Sequence, residues 1–597
     1  MKRSIVLIFL LTALPLGKAW AEHTNATQSP PGVPYQPQIT GLTGQQELER
    51  LLQSVSTTFE QQDRPPPTIR QLRRRALGDV EDMSEALDAK GYFKSSIQLS
   101  LDEDPPPVQV VFTIDTGPRF VFDTIEVLAA GNGVLPGLPD GLFDEHGLSR
   151  GQPYSSRAVV DAEQGLLEHV SETGHPFPRI EKRRVIADHA EESVSVTLWV
   201  APGPWARFGT IRFSGLETIA REYVRSKIPW DQGDTFDASL VDLARTRLIQ
   251  TGLFSSVSIR KGNVREQELP VEIRLVERAQ RTIRGGLGFN TDEGPYVLAG
   301  WEHRNILGGA ERLSLSARIS SRTYSLESSL SEPLFFRPDQ TLNLSGSIVD
   351  EDTDAFDSRR LELAAIVERQ MTDQLSLGAG VRYRYSRIHR LGTSDTFGLL
   401  SFPFLARLDT SDDLLDPSRG GRLTVDLAPY ADTLGTGVTF FKGRASYSRY
   451  LELMAEKRLI LALRGTAGFI TEDRRSRVPA DELFFAGGGG SVRGYAYQTA
   501  GDLDEEDDPL GGLSLLEVSG ELRYRLSETF GVVAFLDGGR AFAERTLGSD
   551  PLLWGAGLGF RYYSPIGPVR LDLAVPLDKR SGVDDSFQLY ISVGQSF

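Results

Sequence analysis

The stretch Phe484-Phe485-Ala486-Gly487-Gly488-Gly489-Gly490-Ser491-Val492-Arg493-Gly494-Tyr495 decides how the C-terminal half of this chain can fold. Four consecutive glycines carry no Cβ, so the backbone can adopt positive φ and pack closely against a wall. The run leads to Arg493, whose planar guanidinium suits a fixed contact with carboxylates in a partly enclosed space. We therefore expect a long loop over residues 479–512 that folds inward and carries Val492, Arg493, Gly494 and Tyr495 at its tip. A flexible glycine-rich surface hairpin is the alternative.

Two later segments offer carboxylates to such a loop. Ser519-Gly520-Glu521 and Phe535-Leu536-Asp537-Gly538-Gly539 have the pattern of strands, in which successive side chains point to opposite faces. The neighbouring apolar residues fall on one face, which leaves Glu521 and Asp537 on the other, together with Phe535 and Gly539. We expect Arg493 to dock on Asp537 and Glu521. Because a buried arginine–carboxylate contact is costly unless it is well paired, it would fix a conformation more than add stability.

The N-terminus has the pattern of an exported protein. Met1-Lys2-Arg3 is cationic, residues 5–16 are apolar, and Ala19-Trp20-Ala21 matches a cleavage site, so residues 1–21 are predicted to form a signal peptide. No later segment approaches the roughly 20 apolar residues that a membrane-spanning helix needs. Any insertion into a membrane must therefore use a β-barrel.

The composition argues against several classes of function. A net charge of −16 disfavours a nucleic-acid partner, since phosphate binding needs a basic surface. The chain has no cysteine, and its seven histidines show no metal-ligand spacing, so we expect no metal site and no cofactor. The sequence also lacks a G-x-S-x-G motif, and the protein is predicted not to be an enzyme.

A weak internal repeat follows a proline-rich linker at residues 22–37. Three helical stretches end in a glycine, at Gly91, Gly174 and Gly252, which is the expected left-handed C-cap. Each unit is predicted as β-α-α-β-β, in three domains over residues 38–117, 118–203 and 204–279. In the third domain a helix over residues 238–251 is predicted to have one apolar face, made by Leu240, Leu243, Leu248 and Ile249.

From residue 280 onward the pattern changes to strict alternation in segments of about ten residues, the length of a tilted membrane strand. The last run alternates apolar and polar residues from Phe587 to the terminal Phe597. Residues 280–597 are therefore predicted to form a transmembrane β-barrel of 16 strands. A soluble β-sandwich shows similar alternation, but the signal peptide and the terminal aromatic residue favour the barrel.

Several motifs together resemble the BamA/TamA-type outer-membrane assembly superfamily, which also contains the two-partner secretion transporters. In addition to the tetrad 492–495 and the two carboxylate segments, they are Asp409-Thr410-Ser411-Asp412 with Pro417-x-x-Gly420, and residues 564–572. The N-terminal repeats resemble polypeptide-transport-associated (POTRA) domains. Three such domains ahead of a 16-stranded barrel are similar to the TamA branch of the superfamily.

The resemblance implies a non-enzymatic insertase in the outer membrane of a Gram-negative bacterium, with its POTRA domains in the periplasm. The implied partners are a TamB-like protein anchored in the inner membrane, unfolded outer-membrane protein and autotransporter clients, and outer-membrane lipid. In the family an inward loop carries the tetrad, and its arginine contacts strand carboxylates. That role falls on Arg493, Asp537 and Glu521.

A barrel closes through its first and last strands, expected at residues 282–290 and 587–597. A poorly paired seam exposes N–H and C=O groups, which is costly in lipid and makes the seam a template for an incoming strand. Gly285, Gly286 and Gly288 would weaken the first strand, or they would merely relieve crowding at the lumen. Phe587 and Phe597 bound the other side. The alternative function is a two-partner secretion transporter that passes a client polypeptide through the pore.

Overall fold

The computed structural model describes residues 32–131, 135, 137–290, 292, 294–390, 392–564 and 567–593. The predicted signal peptide and Phe597 lie outside these residues. In the described part of the chain, no helix is long and apolar enough to cross a membrane.

The first domain is a three-stranded sheet covered by helices. Its elements are β1 (Tyr35–Thr40), α1 (Gln46–Val55), α2 (Thr57–Glu60), α3 (Ile69–Ala89), β2 (Ser96–Asp102) and β3 (Val108–Asp115). The last strand, β3, lies in the centre, parallel to β1 and antiparallel to β2. Because Tyr35 pairs with Val108, the domain begins before residue 38, and the predicted linker 22–37 ends too late. The last residues of the predicted linker belong to β1, the edge strand that pairs with β3 in parallel.

The second domain repeats this sheet with fewer helices. Its elements are β4 (Val121–Ala129), a 3-10 helix (Asp144–His146), α4 (Ser156–Glu172), β5 (Arg179–Asp188) and β6 (Ser193–Ala201), in the sheet order β4-β6-β5. The predicted β-α-α-β-β pattern is therefore wrong for this domain in its described residues, where α4 is the one α-helix. The sequence at residues 131–140 contains three glycines and two prolines, which disfavour a helix.

The third domain follows the predicted order. Its elements are β7 (Arg207–Ser214), α5 (Arg221–Ser226), α6 (Ala238–Gln250), β8 (Phe254–Lys261) and β9 (Glu268–Glu277), in the sheet order β7-β9-β8. In α6 the buried residues are Val241, Ala244 and Leu248. The predicted apolar face is wrong, because Leu243 is 39% exposed and Ile249 is 54% exposed. The buried stripe follows the i, i+3, i+7 spacing of one helix face.

One backbone link is repeated where each unit ends. The Gly91 carbonyl accepts a hydrogen bond from the Phe120 N–H at 2.9 Å, and the Gly174 carbonyl accepts one from the Ala206 N–H at 2.8 Å. In the third unit the Leu253 carbonyl accepts from the Arg278 N–H at 2.8 Å. Each link ties the end of a helix to the chain just before the next strand, through the helix-ending glycine in the first two units and through the residue after Gly252 in the third.

A further contact joins the third domain to the barrel. Asn305 is buried: its Nδ2 donates to the Thr218 carbonyl at 3.0 Å, and its Oδ1 accepts from the Ala310 N–H at 2.7 Å. The Glu277 carboxylate accepts hydrogen bonds from the N–H groups of residues 217–219. Burial opposes ionisation of this carboxyl, but the hydrogen bonds from the Thr218 hydroxyl and these N–H groups lower the pKa of Glu277 below its ordinary value.

The C-terminal region is one antiparallel sheet in which neighbours in sequence are neighbours in space. Its strands are β10 (Arg281–Asn290), β11 (Gly294–His303), β12 (Arg312–Ser320), β13 (Thr323–Pro333), β14 (Gln340–Asp352), β15 (Asp357–Gln370), β16 (Leu375–Arg390), β17 (Thr393–Ser401), β18 (Phe404–Asp409), β19 (Gly420–Asp432), β20 (Thr439–Met454), β21 (Leu459–Ile470), β22 (Ser514–Arg525), β23 (Phe530–Phe542), β24 (Leu553–Ser564), β25 (Gly567–Pro576) and β26 (Gln588–Val593).

Strands β17 and β18 are two halves of one spanning strand. Both pair with β16 on one side and with β19 on the other. The break falls at Phe402-Pro403, where proline has no N–H to give to a ladder. The sheet therefore spans 16 times, and the predicted fold of POTRA-type domains followed by a 16-stranded barrel is confirmed at this level.

We predict that Asp79→Ala will open the first domain locally. Asp79 is buried and accepts hydrogen bonds from the Ser56 hydroxyl at 2.6 Å and from the N–H groups of Thr57 and Thr58, both at 2.9 Å. Loss of this acceptor should lower the local free energy of opening by about 2–3 kcal/mol. Hydrogen exchange of residues 56–60 measures it, with the exposed Asp82→Ala on the same helix as control. Equal exchange in both variants would contradict the prediction.

Candidate functional site

The loop over residues 479–512, termed the inward loop below, packs as part of a core inside the barrel. It connects β21 to β22 and begins with a short 3-10 helix (Ala480–Glu482). Val492 and Tyr495 are fully buried and belong to one apolar cluster with Phe484 of the loop and Leu515 and Leu553 of the wall. The alternative of a flexible surface hairpin does not fit this packing.

Arg493 lies at the centre of a buried ion cluster. Its Nε is 2.6 Å from Asp537 Oδ2, and its Nη2 donates to Asp537 Oδ1 at 3.0 Å, a bidentate contact. Its Nη1 is 2.7 Å from Glu521 Oε1 and 3.0 Å from Asp572 Oδ2. The structure thus brings Arg493 together with both predicted carboxylates and with a third that the sequence analysis did not select.

Two further arginines, both fully buried, face the same carboxylates. Arg523 Nη2 is 2.8 Å from Glu521 Oε2, and Arg561 forms an ion pair with Asp572. Together with Arg493 they give three guanidinium groups facing three carboxylates, all at most 2% exposed at the side chain. Such a cluster is tolerable in a buried site only because each charge is compensated.

Apolar and backbone contacts fix the guanidinium in place. The Arg493 Cζ lies 3.5 Å from the centre of the Phe535 ring, a cation–π contact. Gly494 has φ +105°, and a Cβ on it would lie 2.9 Å from the Val575 carbonyl oxygen. A Cβ on Gly539 would lie 2.7 Å from Val492 Cγ2, so the wall glycine leaves room for the loop tip. The predicted wall residues Phe535 and Gly539 therefore both contact the tetrad.

A second ion cluster holds the beginning of the inward loop. Glu482 is buried; it pairs with Arg384 of β16, and its Oε2 is 2.8 Å from Lys442 Nζ of β20. Arg384 also lies 2.6 Å from Glu362 Oε2 of β15. The loop is thus attached at two places, to β15, β16 and β20 through Glu482 and to β22, β23 and β25 through Arg493.

The sequence contained a signal for one of the residues that were missed. Asp572 is the last residue of the motif 564–572 and alternates with Leu571 and Leu573, which are 42% and 49% exposed. The alternation that places Glu521 on the inner face of its strand places Asp572 there as well. For Glu482 no comparable signal exists, because it lies in an irregular segment. In the described residues, no group of three or more histidine or acidic side chains could hold a metal ion.

The seam residues lie at the two ends of the sheet. Strands β10 and β26 approach each other, but in the described residues 281–290 and 588–593 no ladder joins them. A Cβ on Gly288 would lie 2.3 Å from the Tyr296 ring, whereas Gly285 has open space. Relief of crowding therefore explains Gly288 but not Gly285. Gly286 is also open, with its nearest atom at 3.9 Å. Phe587 precedes β26 and is 59% exposed.

Comparisons with known proteins agree with this architecture. Residues 305–597 match the Omp85 superfamily domain, residues 36–116 match "POTRA domain TamA domain 1", and residues 206–278 match "Surface antigen variable number repeat". The chain belongs to the Omp85 superfamily.

Two curated relatives and one solved structure are similar to this Omp85 protein. Outer membrane protein assembly factor BamA of Nitratidesulfovibrio vulgaris is 24% identical over 83% of this chain and 64% of that protein. BamA of Neorickettsia risticii is 22% identical over 85% of this chain and 71% of that protein. The crystal structure of Haemophilus ducreyi BamA lacking POTRA domains 1–3 superposes with a TM-score of 0.66 at 17% identity, over 80% of this chain and all of that one. The chain spans just under two thirds of the first relative.

The family and the fold establish the location. The protein is an outer-membrane β-barrel, and its N-terminal POTRA domains lie in the periplasm. Accordingly β10 starts on the periplasmic side, and the inward loop enters the Omp85 barrel from the outer side.

We expect Arg493→Ala to release the loop tip. It would leave Glu521, Asp537 and Asp572 buried without their shared partner, which costs about 3–5 kcal/mol. Chymotrypsin should then cut within residues 479–512, for example after Tyr495 or Tyr497, and the barrel should unfold at a lower temperature, read by tryptophan fluorescence. Arg477→Ala is the matched control, because that side chain of the same connection is 64% exposed. If the two variants resist chymotrypsin equally, the buried cluster does not hold the loop.

A second prediction concerns the other attachment. Glu482→Gln keeps the shape of the side chain but removes the charge between Arg384 and Lys442, a loss of about 2–3 kcal/mol. Hydrogen exchange should rise at residues 480–486 while residues 491–495 stay protected. Asp473→Asn, at a side chain 75% exposed, serves as control. Unchanged exchange at residues 480–486 would mean that Glu482 does not hold the loop, and an equal rise at both places would mean that the loop opens as one unit.

Proposed function

We propose that this Omp85 protein assists the insertion and folding of β-barrel outer-membrane proteins and autotransporters through its seam, without enzymatic chemistry. The observation that carries the proposal is the exposure of the first barrel strand. In β10, Ile283 is 83% exposed and Leu287 is 86% exposed. These values exceed the 43–45% of the outward leucines Leu522 and Leu536 in the paired strands β22 and β23.

An edge strand of this kind can pair with an incoming strand. Its unpaired N–H and C=O groups are costly in lipid, and a client strand that accepts and donates those hydrogen bonds removes the cost. The relatives named outer membrane protein assembly factor support assembly as the general activity. We propose that unfolded barrel clients add their strands to β10 and that the surrounding outer-membrane lipid receives them.

The periplasmic domains indicate which branch of the superfamily we propose for this protein and which partner it would bind. The match of residues 36–116 to "POTRA domain TamA domain 1" supports the TamA branch and, with it, a TamB-like partner anchored in the inner membrane. Three POTRA-type sheets, β1-β3-β2, β4-β6-β5 and β7-β9-β8, support the same branch by their number. The contact of this partner with the POTRA domains is part of the proposal.

Site-directed crosslinking tests the route of the client. A cysteine in place of Phe289, on the exposed β10, should form a disulfide with a cysteine in the last strand of a stalled autotransporter client. The natural chain has no cysteine, so the background is clean. We expect Arg493→Ala to reduce this crosslink by about tenfold, the factor that corresponds to loss of roughly 1.4 kcal/mol.

The comparison position is Ser316→Cys, on the polar face of β12 opposite its pairing partner Gly300. Strong crosslinks at this position with none at Phe289 would mean that the client passes through the pore. The function would then be that of a two-partner secretion transporter, and the insertase proposal would be wrong.

A further inference from the structure

The inward loop contacts both sides of the seam. The Gly489 N–H donates to the carboxylate of Asp292, with N···O distances of 3.0 and 3.3 Å. Asp292 lies in the turn between β10 and β11, the first hairpin of the barrel. On the other side, the Gly494 N–H donates to the Tyr590 hydroxyl at 3.0 Å, and that hydroxyl donates to the Tyr495 carbonyl at 2.8 Å. Tyr590 belongs to β26, the last strand.

The glycine run passes between the side chains of Asp292 and Tyr590, and the gap is too narrow for a Cβ atom at Gly489. A Cβ on Gly489 would lie 2.9 Å from Tyr590 Cδ1 and 3.4 Å from Asp292 Oδ2. The neighbouring β25 holds the same residue, since Arg570 Nη2 donates to the Gly489 carbonyl at 3.1 Å. The requirement for glycine at position 489 therefore comes from the seam, while the ion cluster of Arg493 is a separate contact on the wall.

We infer that Asp292 and Tyr590 are positioning residues of the seam and that residues 489–495 of the inward loop are a clasp between them. The clasp links the first hairpin to the last strand at a place where, in the described residues, no backbone ladder does so. Three hydrogen bonds join it to Asp292 and Tyr590, one of them to a carboxylate. They are few enough to break without unfolding the barrel, whose other strands stay paired.

The clasp explains how an anchored loop can set the width of the seam. When residues 489–495 stay on the wall, Asp292 and Tyr590 are both tied to the same short segment. When the clasp opens, β10 and β26 are free to separate while β11 and β25 keep their ladders. The biological meaning of this inference rests on the proposed function, but the separation of the two strands is measurable without a client.

Spin labels on the two end strands test the clasp. We would place cysteines at Leu287 of β10 and Ile591 of β26, in full-length protein in lipid nanodiscs, and measure their distance distribution by double electron–electron resonance. Tyr590→Phe removes the hydroxyl and keeps the ring; Gly489→Ala keeps both partner side chains. Each variant should raise the ratio of long to short distances about tenfold, the factor for roughly 1.4 kcal/mol. Asp292→Ala should act in the same direction.

The control variants are Tyr324→Phe, at a side chain 58% exposed on β13, and Asp395→Ala, at an exposed position of β17. Both should leave the distribution unchanged. Folding of every variant is checked by its heat-dependent gel mobility. Tyr590→Phe is the decisive variant, because phenylalanine keeps the shape of the ring and lacks only the hydroxyl group. If its distribution and that of Gly489→Ala superimpose on the parent, the clasp is refuted. A widened seam in these variants, together with no client crosslink at position 289 in the parent protein, would instead refute only the proposed function.

Discussion

One guanidinium group ties together three neighbouring parts of the barrel wall. Arg493 reaches carboxylates on β22, β23 and β25, and the cost of burying these charges is met only when all of them are present together. A lysine would carry the charge but not the fork that serves Asp537 with two nitrogens and still reaches Glu521 and Asp572. The position of the loop, the packing of Val492 and Tyr495, and the glycine at 539 all depend on this geometry.

The attachment at Glu482 gives the loop a second fixed point on a different part of the wall. A chain segment held at one point can swing, whereas one held at two points keeps its direction. The run 487–490 lies between these points, so its path past Asp292 and Tyr590 is defined from both ends. The ion pairs of Glu482 and Arg493 therefore fix the position of the loop. The hydrogen bonds to Asp292 and Tyr590 connect the loop to the two sides of the seam.

Much of this was accessible from sequence because alternation in a barrel strand is a strict rule. Glu521 and Asp537 could be assigned to the lumen from the apolar residues beside them, and the same argument would have found Asp572. Irregular segments offer no such rule, so the sequence alone does not single out Glu482, Asp292 or the role of Gly489. In helix α6 the sequence pattern was present but predicted the wrong buried face. Its apolar residues cover more than one face, and only packing selects Val241, Ala244 and Leu248 over Leu243 and Ile249.

The interruption at Phe402-Pro403 has a mechanical consequence. Counted from β10, the strand made of β17 and β18 is the eighth of 16, so it lies diametrically across the ring from the seam. When a ring is cut at one point and its ends are pulled apart, the bending moment is greatest directly opposite the cut. A strand that is divided in two there, with a proline that contributes no donor, is more compliant than an unbroken ladder. The barrel wall thus has its flexure point where spreading of the end strands demands the largest change of curvature.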